Sequence, residues 1–187
     1  KNNEGGKKKS KIAPQLSSPT KTDLEKLPLI EVRHLADIAI GFKEHRLQWE
    51  QFEYLEDSVL EHCLSKIARG RYLLDYSVEV IQWAVTAMAT NKILAAYAVT
   101  LGLPKLNNMR FQTIKKLHAD SFEAYIRAYY LFCREKPTCI YLYKLMVPLF
   151  DLFIREATAY NLNHLYNIAA GYFSMLWIGE EGRLYDE

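Results

Sequence analysis

The 187 residues suffice for one domain and a tail, with 50% apolar and 13% aromatic side chains to fill a core. Charged residues make up 25%, glycine is scarce (8) and tyrosine abundant (13), which excludes collagen-like, mainly disordered and glycine-loop architectures. No run of about 18 uncharged apolar residues occurs, so the expectation is that no segment spans a membrane.

The net charge of +2 is unevenly placed. Residues 1–22 carry Lys1, Lys7, Lys8, Lys9, Lys11 and Lys21 against Glu4 alone, leaving the remainder mildly acidic. Residues 1–23, rich in Lys, Ser, Gly, Asn and Pro, read as a basic extended arm; residues 24–187 read as the folded body. Lysines in such an arm suit phosphate contacts through counterion release, and a merely solvated tail explains them equally well. Cys63, Cys133 and Cys139 are odd in number, widely spaced and set among apolar residues, so they read as buried, reduced thiols of an intracellular compartment. No CxxC pair occurs, and His34, His45, His62, His118 and His164 are scattered, which argues against structural zinc.

From Leu24 onward apolar residues recur at helical spacing. The expected helices cover 29–43, 46–69, 75–88, 90–101, 113–133, 138–156 and 161–177. Gly70 is expected to cap the second, Gly102 to Asn108 to form a loop, and Pro137 to break the chain. The result is an all-α domain of about seven helices.

Two of these helices set acids among core residues. Glu53 and Asp57 stand four apart in WEQFEYLEDSVLEHC, with Glu50 and Glu56 nearby; Asp120 and Glu123 stand three apart in LHADSFEAYIRAYYL. Each pair shares one helix face. If the helices lie side by side, four carboxylates converge, and such an oxygen-rich cluster suits Mg²⁺ or Mn²⁺. The spacing alone fits better with acids that are solvated or paired with lysines, since such spacings occur by chance in any helical protein.

The segment EQFEYLEDSVL (50–60) resembles the ribonuclease III signature ERLEFLGDAVL. ATNKILAAYAVTLGL (89–103) and ADSFEAYIRAYYL (119–131) are similar to two later blocks of that family, in the same order, and the likeness runs from about 29 to 155. It implies a ribonuclease III endonuclease-domain-like helical fold with a basic N-terminal extension. It also implies that Glu53, Asp57, Asp120 and Glu123 occupy the family's metal-binding and catalytic positions, where two divalent metals serve hydrolysis of double-stranded RNA. Tyr54 falls where family members insert an aromatic side chain into a dimer partner.

The pattern also departs from the family. Glu56 replaces a glycine, Gln51 an arginine, Trp49 an asparagine, Arg127 a glycine and Phe132 an aspartate. The family's turn before its second block has no counterpart in 73–83, nor its element before the signature in 38–46. No segment reads as a double-stranded-RNA-binding domain.

The resemblance therefore implies either of two functions. One is a structural component of the mitochondrial ribosomal large subunit, where fungi pair two such proteins. There the chain would bind ribosomal RNA through Lys7, Lys8, Lys9, Lys11 and Lys21, form a heterodimer with a paralogue, and need no cofactor. The other is a homodimeric endoribonuclease dependent on Mg²⁺ or Mn²⁺. Mitochondrial localisation follows from resemblance alone. Lys115 and Lys116 read as a solvated face or a phosphate contact, and Tyr125, Tyr129 and Tyr130 as packing residues of the core or dimer.

Overall fold

The computed structural model describes residues 26–41, 44–107, 116–156 and 161–177, with the backbone alone at 53–58 and 175–177. All regular structure among them is helical: α1 (Arg33–Ile40), α2 (Arg46–Tyr72), α3 (Val78–Met88), α4 (Asn91–Thr100), α5 (Leu103–Leu106), α6 (Lys116–Cys133), α7 (Glu135–Glu156) and α8 (Leu162–Trp177). The all-α expectation holds.

Helix ends follow local chemistry. Ser77 caps α3 by accepting from the Val80 N–H at 3.4 Å, and Glu79 lies in the first turn, where a negative charge meets the positive end of the dipole. Asn161 Oδ1 caps α8, accepting from the N–H groups of Asn163 and His164 at 3.0 and 3.3 Å. Gly102, with φ of 78°, starts the single turn of α5 inside the segment expected to be a loop. Gly41 caps the end of α1 with its N–H donating to the Ile38 carbonyl, and glycine is required there because a Cβ would collide with the Asp37 carbonyl oxygen.

Two breaks fall elsewhere than expected. α2 runs through Gly70 to Tyr72, since tertiary contacts outweigh the local stop signal. Tyr72 stacks on Phe150 of α7 at 5.2 Å between centroids, and its hydroxyl donates to Asp151 at 2.6 Å. Pro137 does not break the chain; it sits in the first turn of α7, where a missing N–H leaves no helical bond unmade. The break is Arg134, in the left-handed region at φ 72°, with its N–H donating to the Tyr130 carbonyl at 2.7 Å.

α6 is the centre of the packing. It lies against α4 and α2 most extensively, and also against α1, α5 and α7. Small residues allow the close approach: Ala119, Ser121, Ala124 and Ala128 on α6, and Ala95, Ala96 and Ala98 on α4, are essentially unexposed. Tyr97 of α4 fills the space between them, stacked at 6.1 Å on Phe122 and edge-on at 4.9 Å to Phe173 of α8. By length and composition α7 is long and apolar enough to cross a bilayer; in the fold 56% of its most apolar stretch is buried, with Leu142, Leu149, Phe150 and Phe153 in the core.

The three cysteines are not all thiols. Cys63 of α2 and Cys139 of α7 form a disulfide with their Cα atoms 5.2 Å apart, which corrects the expectation of reduced cysteines; Cys133 is free. Their separation of 76 residues hid the pairing, which arises because α2 and α7 lie side by side.

The Tyr97 hydroxyl is fully buried without a hydrogen-bond partner among the described residues. Tyr97→Phe is therefore expected to raise stability by about 1 kcal/mol in urea unfolding, because an unsatisfied buried hydroxyl carries a desolvation penalty. Desolvation also pushes the Tyr172 phenol up to about 12, and desolvation followed by the hydrogen bond to Cys133 does the same for Tyr129. In the unfolded chain such phenols ionise near pH 10. The folded state thus holds these protons longer, and the contribution of the two phenols to stability is constant below pH 10 and is lost between pH 10 and about 12. Urea midpoints across that range check this, and Tyr172→Phe should flatten the decline.

Candidate functional site

The segment 50–60 lies in α2, 119–131 in α6, and most of 89–103 in α4. The three stretches that carry the family likeness thus form the three most closely packed helices around the centre, with α6 touching both others.

On α6, Asp120 and Glu123 are both buried; Glu123 retains only 4% exposure. The Lys116 ammonium, one turn earlier, donates to Asp120 Oδ1 at 3.0 Å. Its side chain is 65% exposed while that of Asp120 is 12% exposed, so a surface lysine reaches inward to neutralise a buried carboxylate. Pairing with a lysine was one of the readings the spacing allowed, without a named partner; a Lys and an Asp four apart on a helix is the signal that identifies Lys116. Lys115 lies outside the described residues.

On α2, Trp49 is buried at 2% exposure and packs in a small cluster with Ile38 of α1 and Ala124 of α6, flanked by Phe52 and Leu117. Its indole joins α1 and α2 to α6 at Ala124, the residue after Glu123. Leu60 and Leu64 of α2 are likewise buried. The backbone is helical from 46 to 72, so positions 53 and 57 fall on the stripe that runs from Trp49 through Leu60 to Leu64. The side chains of Glu53, Tyr54, Glu56 and Asp57 lie outside the described residues, as does the arm with Lys7, Lys8, Lys9, Lys11 and Lys21. Among the described residues no three His, Cys, Asp or Glu side chains gather closely enough to hold a metal ion.

The surrounding residues have structural roles. His118 is buried at 3% exposure, and the carbonyl of its own residue accepts from the Ser121 hydroxyl at 2.7 Å. Arg127 is half-buried with its guanidinium 5.6 Å from the Tyr130 ring centre. The Tyr125 hydroxyl donates to the Pro28 carbonyl at 2.8 Å, tying the segment before α1 to α6. Tyr129 meets Tyr141 edge-on at 5.8 Å, so this tyrosine serves the core.

No protein-family model, no characterised protein and no solved structure matches the chain.

Loss of the lysine contact should be measurable. Lys116→Met is expected to lower stability by about 1 kcal/mol, and to have much less effect in an Asp120→Asn background. A double-mutant cycle by urea unfolding checks this; equal losses in both backgrounds would mean that the ammonium does not stabilise the carboxylate.

Proposed function

We propose that the chain is a ribonuclease III-like protein of the mitochondrial ribosomal large subunit, working as a structural component rather than as a nuclease. Its helical body docks on a paralogous ribonuclease III-like partner, with Tyr54 at that interface, and its basic arm lies along ribosomal RNA. The observation that carries this reading is the Lys116–Asp120 contact. It supplies a fixed positive charge to a carboxylate that the family likeness assigns to metal binding. A protein side chain so placed makes a divalent ion less necessary for the stability of the buried acids.

Other features support the same reading. The helices that hold 50–60 and 89–103 both pack on the helix that holds 119–131. Residues beside the acids have changed: Trp49 fills the α1–α2–α6 junction with a bulky indole, and Arg127 brings a guanidinium to α6. Such neighbours orient ligands in metal sites, so their replacement weakens the site even where the acids persist. The acidic body also attracts RNA poorly, which leaves phosphate neutralisation to residues 1–22.

The second reading, an endoribonuclease, is favoured by one observation: Asp120 and Glu123 are both kept, and both buried, on α6. Together with Glu53 and Asp57 they would make an all-oxygen donor set of the kind that Mg²⁺ or Mn²⁺ takes. Held there, a divalent ion would activate water and stabilise the leaving oxygen of a phosphodiester.

Sedimentation of mitochondrial extracts in high salt separates the two. The structural reading predicts that the full chain remains with the large subunit, and that the purified, folded protein leaves a long RNA duplex intact in Mg²⁺. Free sedimentation, together with Mg²⁺-dependent cleavage that Glu123→Gln abolishes, would overturn it.

A further inference from the structure

α2 and α7 run side by side in the same direction, and three clasps cross the seam between them. At its beginning, Glu135 accepts from the Lys66 ammonium at 2.6 Å and lies 3.1 Å from His62 Nε2. These contacts, Lys66 first and His62 second, hold the Glu135 carboxyl below its usual range. Next comes the disulfide between Cys63 and Cys139. At the far end Asp151 accepts both arms of the Arg71 guanidinium at 2.9 and 2.8 Å and the Tyr72 hydroxyl at 2.6 Å.

The clasps are unequal. The Lys66 and Glu135 side chains are 62% and 41% exposed, so water and salt weaken that pair. The Asp151 side chain is 13% exposed and its contact is bidentate, the stronger arrangement. The opening turns of α7 follow Arg134, whose left-handed backbone is unfavourable for a residue other than glycine. Without the disulfide, an exposed ion pair would be the principal polar tie holding that end of α7 to α2.

We propose that the Cys63–Cys139 bond is a reversible redox clasp: a dithiol reductant opens it and loosens the first turns of α7 from α2, while the Asp151 end stays closed. Cys139 is partly exposed and Cys63 fully buried, so the reductant thiolate attacks Cys139 Sγ. The S–S bond breaks, Cys63 leaves as a thiolate and takes a proton, and a mixed disulfide forms on Cys139. The second thiol of the reductant then displaces Cys139, which is protonated in turn. Two electrons and two protons pass to the protein, and the reductant becomes a disulfide. The clasp stands independently of the ribosomal and nuclease readings.

The test uses the full chain, purified without thiols in air-saturated buffer, so that no disulfide reagent caps Cys133. Alkylation with iodoacetamide in denaturant, read by intact mass, should mark Cys133 alone; after dithiothreitol it should mark all three cysteines. Native hydrogen exchange should then accelerate roughly tenfold or more over 62–66 and 135–143, with 145–153 and α4 unchanged, and fresh oxidant should reverse it. Cys63→Ala should show the fast pattern with or without dithiothreitol; the wild-type comparison stands alone if that variant does not fold. Three alkylated cysteines in the oxidised sample, exchange unchanged by reduction, or loss of protection throughout the chain would each overturn the proposal.

Discussion

The fold depends on burying α6 along most of its circumference. Phe122, Ile126 and the alanines at 119, 124 and 128 are all unexposed, and the helix touches α1, α2, α4, α5 and α7. A helix in that position would ordinarily be apolar all round. This one carries Asp120 and Glu123, and taking two carboxylates out of water without compensation is prohibitively unfavourable. The inward reach of Lys116 answers part of that demand. The remainder of the design holds α2 and α4 close enough to α6 for the small residues between them to meet.

Much of this was legible in the sequence. Helical spacing located the long elements, because apolar residues at threes and fours mark a buried stripe wherever the partner helix lies. The acids of α6 stood out because they interrupt such a stripe. What escaped was decided across the fold. Gly70 carries a local stop signal that the Tyr72–Phe150 stack and the Arg71–Asp151 contact override. Pro137 looked like a breaker, but it lies in the first turn of a helix that begins two residues earlier. The cysteine pair could not be read from a separation of 76 residues, since only the parallel course of α2 and α7 brings the two together.

The site shows the same division. Spacing placed Glu53 with Asp57, and Asp120 with Glu123, on shared helix faces, and the likeness to ribonuclease III gave those pairs a common purpose. It could not show that Trp49 would become the wedge joining α1, α2 and α6, nor that a lysine would sit on Asp120. Trp49 packs at the junction of α1, α2 and α6, and the Lys116 ammonium meets an acid rather than solvent alone. Stability requires the buried acids to be compensated but does not require that a metal do it.

The central claim is that α2 and α6 bring their acids to one place. A crystal structure of the full chain, determined with and without Mn²⁺, tests it most directly. The account predicts carboxylate oxygens of Glu53, Asp57, Asp120 and Glu123 within about 5 Å of a common point, a span that a cation with oxygen ligands at about 2 Å could bridge. Glu53 and Asp57 turned to the opposite side of α2, beyond reach of Asp120 and Glu123, would contradict it.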